Sequence, residues 1–197
     1  MLLTFFLVWL TFFNDILEIE KTEKTKSLLK KLSDTITNES RSNVIDIQHA
    51  KYRGNKFLVI DIVNKFNINN HIDKITNSFY NLNIVNYKVN EIVVSDLFDN
   101  SLDSVCSNGI HYFKSIETAF HYEINKDYVK SGTYTEWYDN GQIKTKCNFV
   151  NNIKEGEYTN WSMNGQMNLK CNYFKDENDG EYKVELLYSN RRHILII

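Results

Sequence analysis

Alternation of apolar and polar residues is clearest in the last third of the chain. Ile143, Thr145, Cys147 and Phe149 alternate with Lys144, Lys146 and Asn148, and Met167, Leu169, Cys171 and Tyr173 alternate with Asn168, Lys170 and Asn172. A period of two predicts half-buried strands with one wet face. The middle of the chain carries shorter runs. Residues 57–62 (FLVIDI) predict a buried strand, residues 87–93 (YKVNEIV) a half-buried one, and residues 109–113 (GIHYF) a third. A short helix is expected over 115–123, where Ile116, Ala119 and Phe120 fall at core spacing.

The N-terminus follows a different pattern. Residues 1–13 (MLLTFFLVWLTFF) are uncharged and almost wholly apolar. No Lys or Arg precedes the run and no small-residue cleavage site follows Phe13, so a signal peptide is not expected. A membrane span needs about 20 apolar residues, and Asn14, Asp15 and Glu18 arrive too early. On a helix Thr4, Thr11, Asp15 and Glu18 form one narrow polar stripe. Two settings satisfy that stripe: a helix buried on most sides, or one lying in a membrane interface. Residues 15–40 then predict a solvated helix with Leu28, Leu29, Leu32 and Ile36 on one face.

Glycine spacing organises the C-terminal third. Gly132, Gly156 and Gly180 are 24 residues apart, and Tyr134, Tyr158 and Tyr182, Trp137 and Trp161, Asn140 and Asn164, Gly141 and Gly165, and Cys147 and Cys171 keep the same interval. This is a repeat. Asn140-Gly141 and Asn164-Gly165 carry the chemistry of a type I′ turn, with φ > 0 at both centres, so each predicts a tight hairpin. A two-residue loop sets Tyr138 opposite Ile143, Tyr134 opposite Cys147 and Trp137 opposite Lys144, where a cation–π contact is within reach. Equivalent residues of successive hairpins lie two strands apart, about 9.5 Å, beyond the roughly 7 Å between Cα atoms that a disulfide tolerates. Cys147 and Cys171 therefore read as small core residues.

The units GTYTEWYDNGQIKTKCNF and GEYTNWSMNGQMNLKCNY resemble the variant form of the MORN repeat. That resemblance implies one β-hairpin per unit, stacked into an elongated sheet. The third unit departs from it, with Glu185 in place of the Trp and Ser189-Asn190 in place of Asn-Gly, as suits a terminal cap. A second resemblance lies upstream. Residues 106–113 (CSNGIHYF), with Ala119 and Tyr122 downstream, resemble a small domain of unknown function common in large DNA viruses of amoebae. Lys51-Tyr52-Arg53, residues 87–93 and Asp96-Leu97-Phe98-Asp99 occupy comparable places. This resemblance implies no known activity.

Composition narrows the chemistry. The 197 residues are 42% apolar and 24% charged, which predicts a globular chain with a substantial core. Net charge is −2; residues 1–56 carry nine basic and seven acidic groups, residues 57–129 five and nine, and residues 130–197 nine of each. None of these is the basic footprint that phosphate binding needs, so no nucleic-acid partner is expected. Three Cys, an odd number, make no disulfide framework and point to a reducing intracellular compartment, the host cytoplasm if the chain is viral. Absent Pro, scarce Gly and abundant Asn, Ile and Lys fit an AT-rich genome, so the Asn excess carries no functional weight. Cys106, His111 and His121 match no zinc spacing. Asp96, Asp99 and Asp103 lack the Gly and the spacing of a calcium loop. No catalytic residue, metal site or cofactor site emerges.

Together these observations predict an α+β chain. Residues 1–42 hold the apolar segment and solvated helix, 43–128 a small α+β domain, and 129–197 the MORN-like β-hairpin units. The expected function is non-catalytic interaction with a protein partner, with Trp137, Trp161 and Lys144 as the candidate partner-binding face and Asn140, Gly141, Asn164 and Gly165 as the hairpin turns. The alternative is peripheral attachment to a membrane surface through residues 1–13.

Overall fold

A computed structural model describes residues 5–9, 25–64, 67, 69–79, 83–122, 131–179, 183–188 and 191–196. The chain is mostly β, with antiparallel sheets, and divides into two compact units, Met1–Phe120 and His121–Ile197.

The first unit contains β1 (Phe5–Trp9), β2 (Thr25–Lys30), β3 (Lys51–Gly54), β4 (Lys56–Asn64), β5 (Lys74–Phe79), β6 (Asn83–Lys88), β7 (Ile92–Val94) and β8 (Ile110–Phe113), followed by the six-residue α1 (Ile116–His121) that runs into the second. Six strands form one sheet in the order β3-β8-β1-β2-β4-β7, and β5 and β6 form a separate hairpin. Leu29, Tyr52, Phe57, Val59, Ile62, Tyr87, Val93, Ile110 and Tyr112 make the core, with Ile72, Ile75, Val85 and Val89 of the β5–β6 region packed against it.

Among the described residues the expected N-terminal helices are not found. Residues 5–9 and 25–30 are strands, and β1 lies inside the sheet between β2 and β8. Sequence reading missed β2 because its period of two is written partly in hydroxyls: Thr25, Ser27 and Leu29 are the buried row. Counting only apolar residues leaves Leu28, Leu29, Leu32 and Ile36, a spacing that imitates a helix. The polar stripe of Thr4, Thr11, Asp15 and Glu18 lies outside the described residues. The strand expected over 87–93 is split by a turn in which Asn90 takes φ 67° and the Glu91 amide donates to the Lys88 carbonyl (3.0 Å). Asn tolerates that left-handed conformation, so a polar residue within an alternating run became a turn. Among the described residues, no helix is long and apolar enough to cross a membrane.

In the second unit β9 (Gly132–Trp137), β10 (Ile143–Val150), β11 (Ile153–Trp161), β12 (Met167–Phe174), β14 (Lys183–Tyr188) and β15 (Arg191–Ile196) form an antiparallel sheet in the order β15-β14-β12-β11-β10-β9, and the short β13 (Glu177–Asn178) pairs with β12. One cross-strand row runs Tyr134, Cys147, Tyr158, Cys171. Large rings alternating with small thiols fill that face, helped by edge-on ring pairs Tyr134–Phe149 (6.3 Å) and Tyr158–Tyr173 (5.6 Å). Each such pair adds about 0.5–1.5 kcal/mol to the burial. Tyr158 pairs with both Cys147 and Cys171, and no disulfide joins any of the three cysteines.

Candidate interaction face

The hairpins turn at both Asn-Gly pairs, with a different geometry from the one expected. The Tyr138 amide donates to the Gln142 carbonyl (2.8 Å) and the Gly141 amide to the Tyr138 carbonyl (2.9 Å); Ser162, Gln166 and Gly165 repeat both bonds at the same lengths. Only the glycines are left-handed, at φ 87° for Gly141 and 85° for Gly165. This is the three-residue loop, a type I turn closed by a glycine bulge, and not the two-residue type I′ turn. The type I′ pattern instead closes the opposite end, at Asn151-Asn152 (φ 53° and 67°) and Lys175-Asp176 (φ 52° and 67°). Lys175 pays a steric cost there that its sequence does not advertise.

The longer loop moves the register. Trp137 now opposes Ile143, and the ladder skips Lys144 before resuming at Thr145↔Glu136; Tyr134 still opposes Cys147. The Lys144 ammonium goes to the Glu136 carboxylate (2.6 Å) and lies 5.9 Å from the Tyr138 ring centre. The Glu136 hydrogen bond and charge outweigh partial burial and raise the Lys144 pKa. Trp137 is half-buried, 6.2 Å from the His121 ring. Trp161, also half-buried, opposes Met167.

Side chains join the two loops. The Tyr138 hydroxyl donates to the Trp161 carbonyl (2.9 Å), and the Asn140 amide nitrogen donates to the Met163 carbonyl (3.1 Å) while its oxygen accepts the Gln142 amide (3.0 Å). Asn140 is buried by this role, whereas its counterpart Asn164 is exposed. At the loop end Trp137, Ile143, Trp161 and Met167 are all half-buried, and Met163 is 55% exposed.

A second polar centre, in the first unit, escaped the sequence reading. The Arg53 side chain is fully buried and donates to four backbone carbonyls, those of Ser104 (2.7 Å), Asp99 (3.0 Å), Asn108 (2.8 Å) and Ser101 (2.6 Å), with its guanidinium 5.5 Å from the Phe98 ring centre. β3 pairs with β8 through Tyr52↔Tyr112 and Arg53↔His111. Three of the four segments singled out by sequence, 51–53, 96–99 and 106–113, thus meet around one guanidinium. Nearby, the Glu39 carboxylate accepts from the Tyr112 hydroxyl and from Lys114 (2.9 Å). Burial would raise the Glu39 pKa; the bonds from Tyr112 and Lys114 and the charges of Lys114 and Lys31 bring it below the ordinary value.

His111 Nε2 is 2.9 Å from the Val105 carbonyl, and the Asp99 carboxylate accepts from the Ser107 hydroxyl (2.5 Å) and the Ser101 amide (2.8 Å). Among the described residues no three potential metal ligands converge. No protein-family model matches the chain, and neither does any curated protein or solved structure.

Proposed function

We propose that this protein is a non-catalytic interaction protein in which MORN-like hairpin units form a scaffold, and that a protein partner docks on the loop end at Trp137, Trp161 and Lys144. The observation that carries this reading is the pairing of the loops through Tyr138 and Asn140, which holds two half-buried tryptophans and an exposed Met163 at one rigid end. Rigid aromatic residues beside a polar rim are the usual anchors of a protein interface. The upstream unit, with its likeness to the domain of amoebal viruses, is a second module without an assigned activity. The alternative, attachment to a membrane through residues 1–13, is less well supported because β1 bonds to strands on both sides.

The test compares proteins co-purified with the full chain, wild type against Trp161→Ala and Lys144→Glu, with Lys146→Ala on the exposed strand face as control. Partners lost from the first two variants and kept by the control support the proposal. An unchanged partner set, or flotation of the full chain with lipid vesicles, overturns it.

A further inference from the structure

The two edges of the first sheet are finished differently. At β3 the edge is sealed: the Asn38 amide donates to the Arg53 carbonyl (3.2 Å), the Arg53 amide donates to Asn38 Oδ1 (2.7 Å), and Arg41 Nη1 donates to the Lys51 carbonyl (2.5 Å). Thr37 adds an antiparallel bridge to Gly54. At the other edge β7 pairs with β4 alone among the described residues, as Lys56↔Val94, Phe57↔Val93 and Leu58↔Ile92. The Ser95 amide donates to the Asn55 carbonyl (2.8 Å), which sets the phase of the ladder. Bonded pairs alternate in an antiparallel ladder, so Val93 faces β4 and the amides and carbonyls of Ile92 and Val94 point off the sheet.

Those two residues are also exposed, Ile92 by 56% and Val94 by 51%, while Val93 between them is buried. Sheet edges are normally blunted by short strands, Lys, Pro or a bulge; β7 is short, but its outward positions are β-branched and apolar. Exposed Asp96 lies just beyond the strand, whereas Glu91 at the other end is held by Lys88. Outward main-chain donors and acceptors at strand spacing match those of an extended backbone, which adds to the edge as a further strand.

We infer that β7 is a strand-addition site for an extended segment of another polypeptide, apolar at alternate positions and basic where it passes Asp96. This surface is independent of the loop end of the hairpin sheet. Four outward groups on two residues fit a weak, transient contact that recognises an extended chain more than a particular sequence.

The probe is an end-capped peptide, Lys-Val-Thr-Val-Thr-Val-Lys, and the same peptide N-methylated at alternate amides. Titration into the full-length protein, followed by amide resonances, should shift residues 91–96 saturably with the unmodified peptide and leave them unmoved with the methylated one. Val94→Pro deletes an outward N–H without removing a bond to β4 and should weaken binding about ten-fold, the effect of one main-chain bond of ordinary strength. If that variant fails to fold, the methylated peptide on wild type carries the test. Equal binding of both peptides overturns the inference, as does the absence of a saturable shift at 91–96. So does a concentration-dependent dimer that broadens residues 92–94, because the edge would then pair with a second copy.

Discussion

Replacing Arg53 by Met removes four hydrogen bonds from a guanidinium that has no exposed surface. Bonds from a charged donor are each worth about 1.5–3 kcal/mol. The gross loss is offset in two ways. The acceptor loop over 99–108 is half-buried to exposed, so its carbonyls can turn to water, and the variant no longer buries a charge. A net loss of about 3–4 kcal/mol follows, a large part of the 5–15 kcal/mol that typically holds a domain together. Arg53→Lys keeps the charge but not the fork, and should lose about 2 kcal/mol. Urea unfolding gives the global cost. Hydrogen exchange read by mass spectrometry separates it from local loosening, because the Asp99 and Ser101 amides are bonded only within the loop. A loss below about 1 kcal/mol, with residues 99–108 exchanging as in wild type, would refute the assignment of Arg53 as the post that holds this loop.

Two glycines separate conformational from steric cost. A Cβ at Gly156 meets nothing within 4 Å but sits at φ 79°, so Gly156→Ala should lose about 1–2 kcal/mol through backbone strain alone. A Cβ at Gly54 would lie 2.5 Å from Phe57 Cζ, so Gly54→Ala should cost about 1–3 kcal/mol by overpacking, and Phe57→Leu should rescue part of it in thermal melts. Lys175→Asn, at φ 52° in a type I′ turn, should raise the melting temperature, while Asp176→Ala should lower it by losing the bond from the Lys154 amide (2.9 Å). The depressed Glu39 pKa contributes stability that is complete above the ordinary glutamate value and is lost as pH falls through the lowered one; Glu39→Gln should be less stable at pH 7 and lack that acid dependence. In thiol titration of the native protein Cys106, exposed, should react first; Cys147 and Cys171 are buried, and burial raises the Cys171 pKa, so both should react only on unfolding.

Local chemistry was legible where one short segment decides its own conformation. The Asn-Gly pairs mark turns because glycine takes the left-handed closing position without steric cost, and the alternation of 143–149 and 167–173 is written in residues whose burial is unambiguous. The turn type was not legible: Asn-Gly serves both hairpin loops, and the choice was made by contacts between loops, where buried Asn140 spans to Met163 and the bulge at Lys144 moves Trp137 opposite Ile143. Likewise Asn151-Asn152 and Lys175-Asp176 became type I′ turns because paired strands on either side leave room for two residues only. β1 could not be read either, since an apolar run has no period of its own and takes whichever form its neighbours can bond; it is a strand because β2 and β8 flank it. Arg53 is the extreme case. Its four acceptors lie about fifty residues away in sequence and are backbone carbonyls, which every residue type carries, so no side-chain pattern could have announced them.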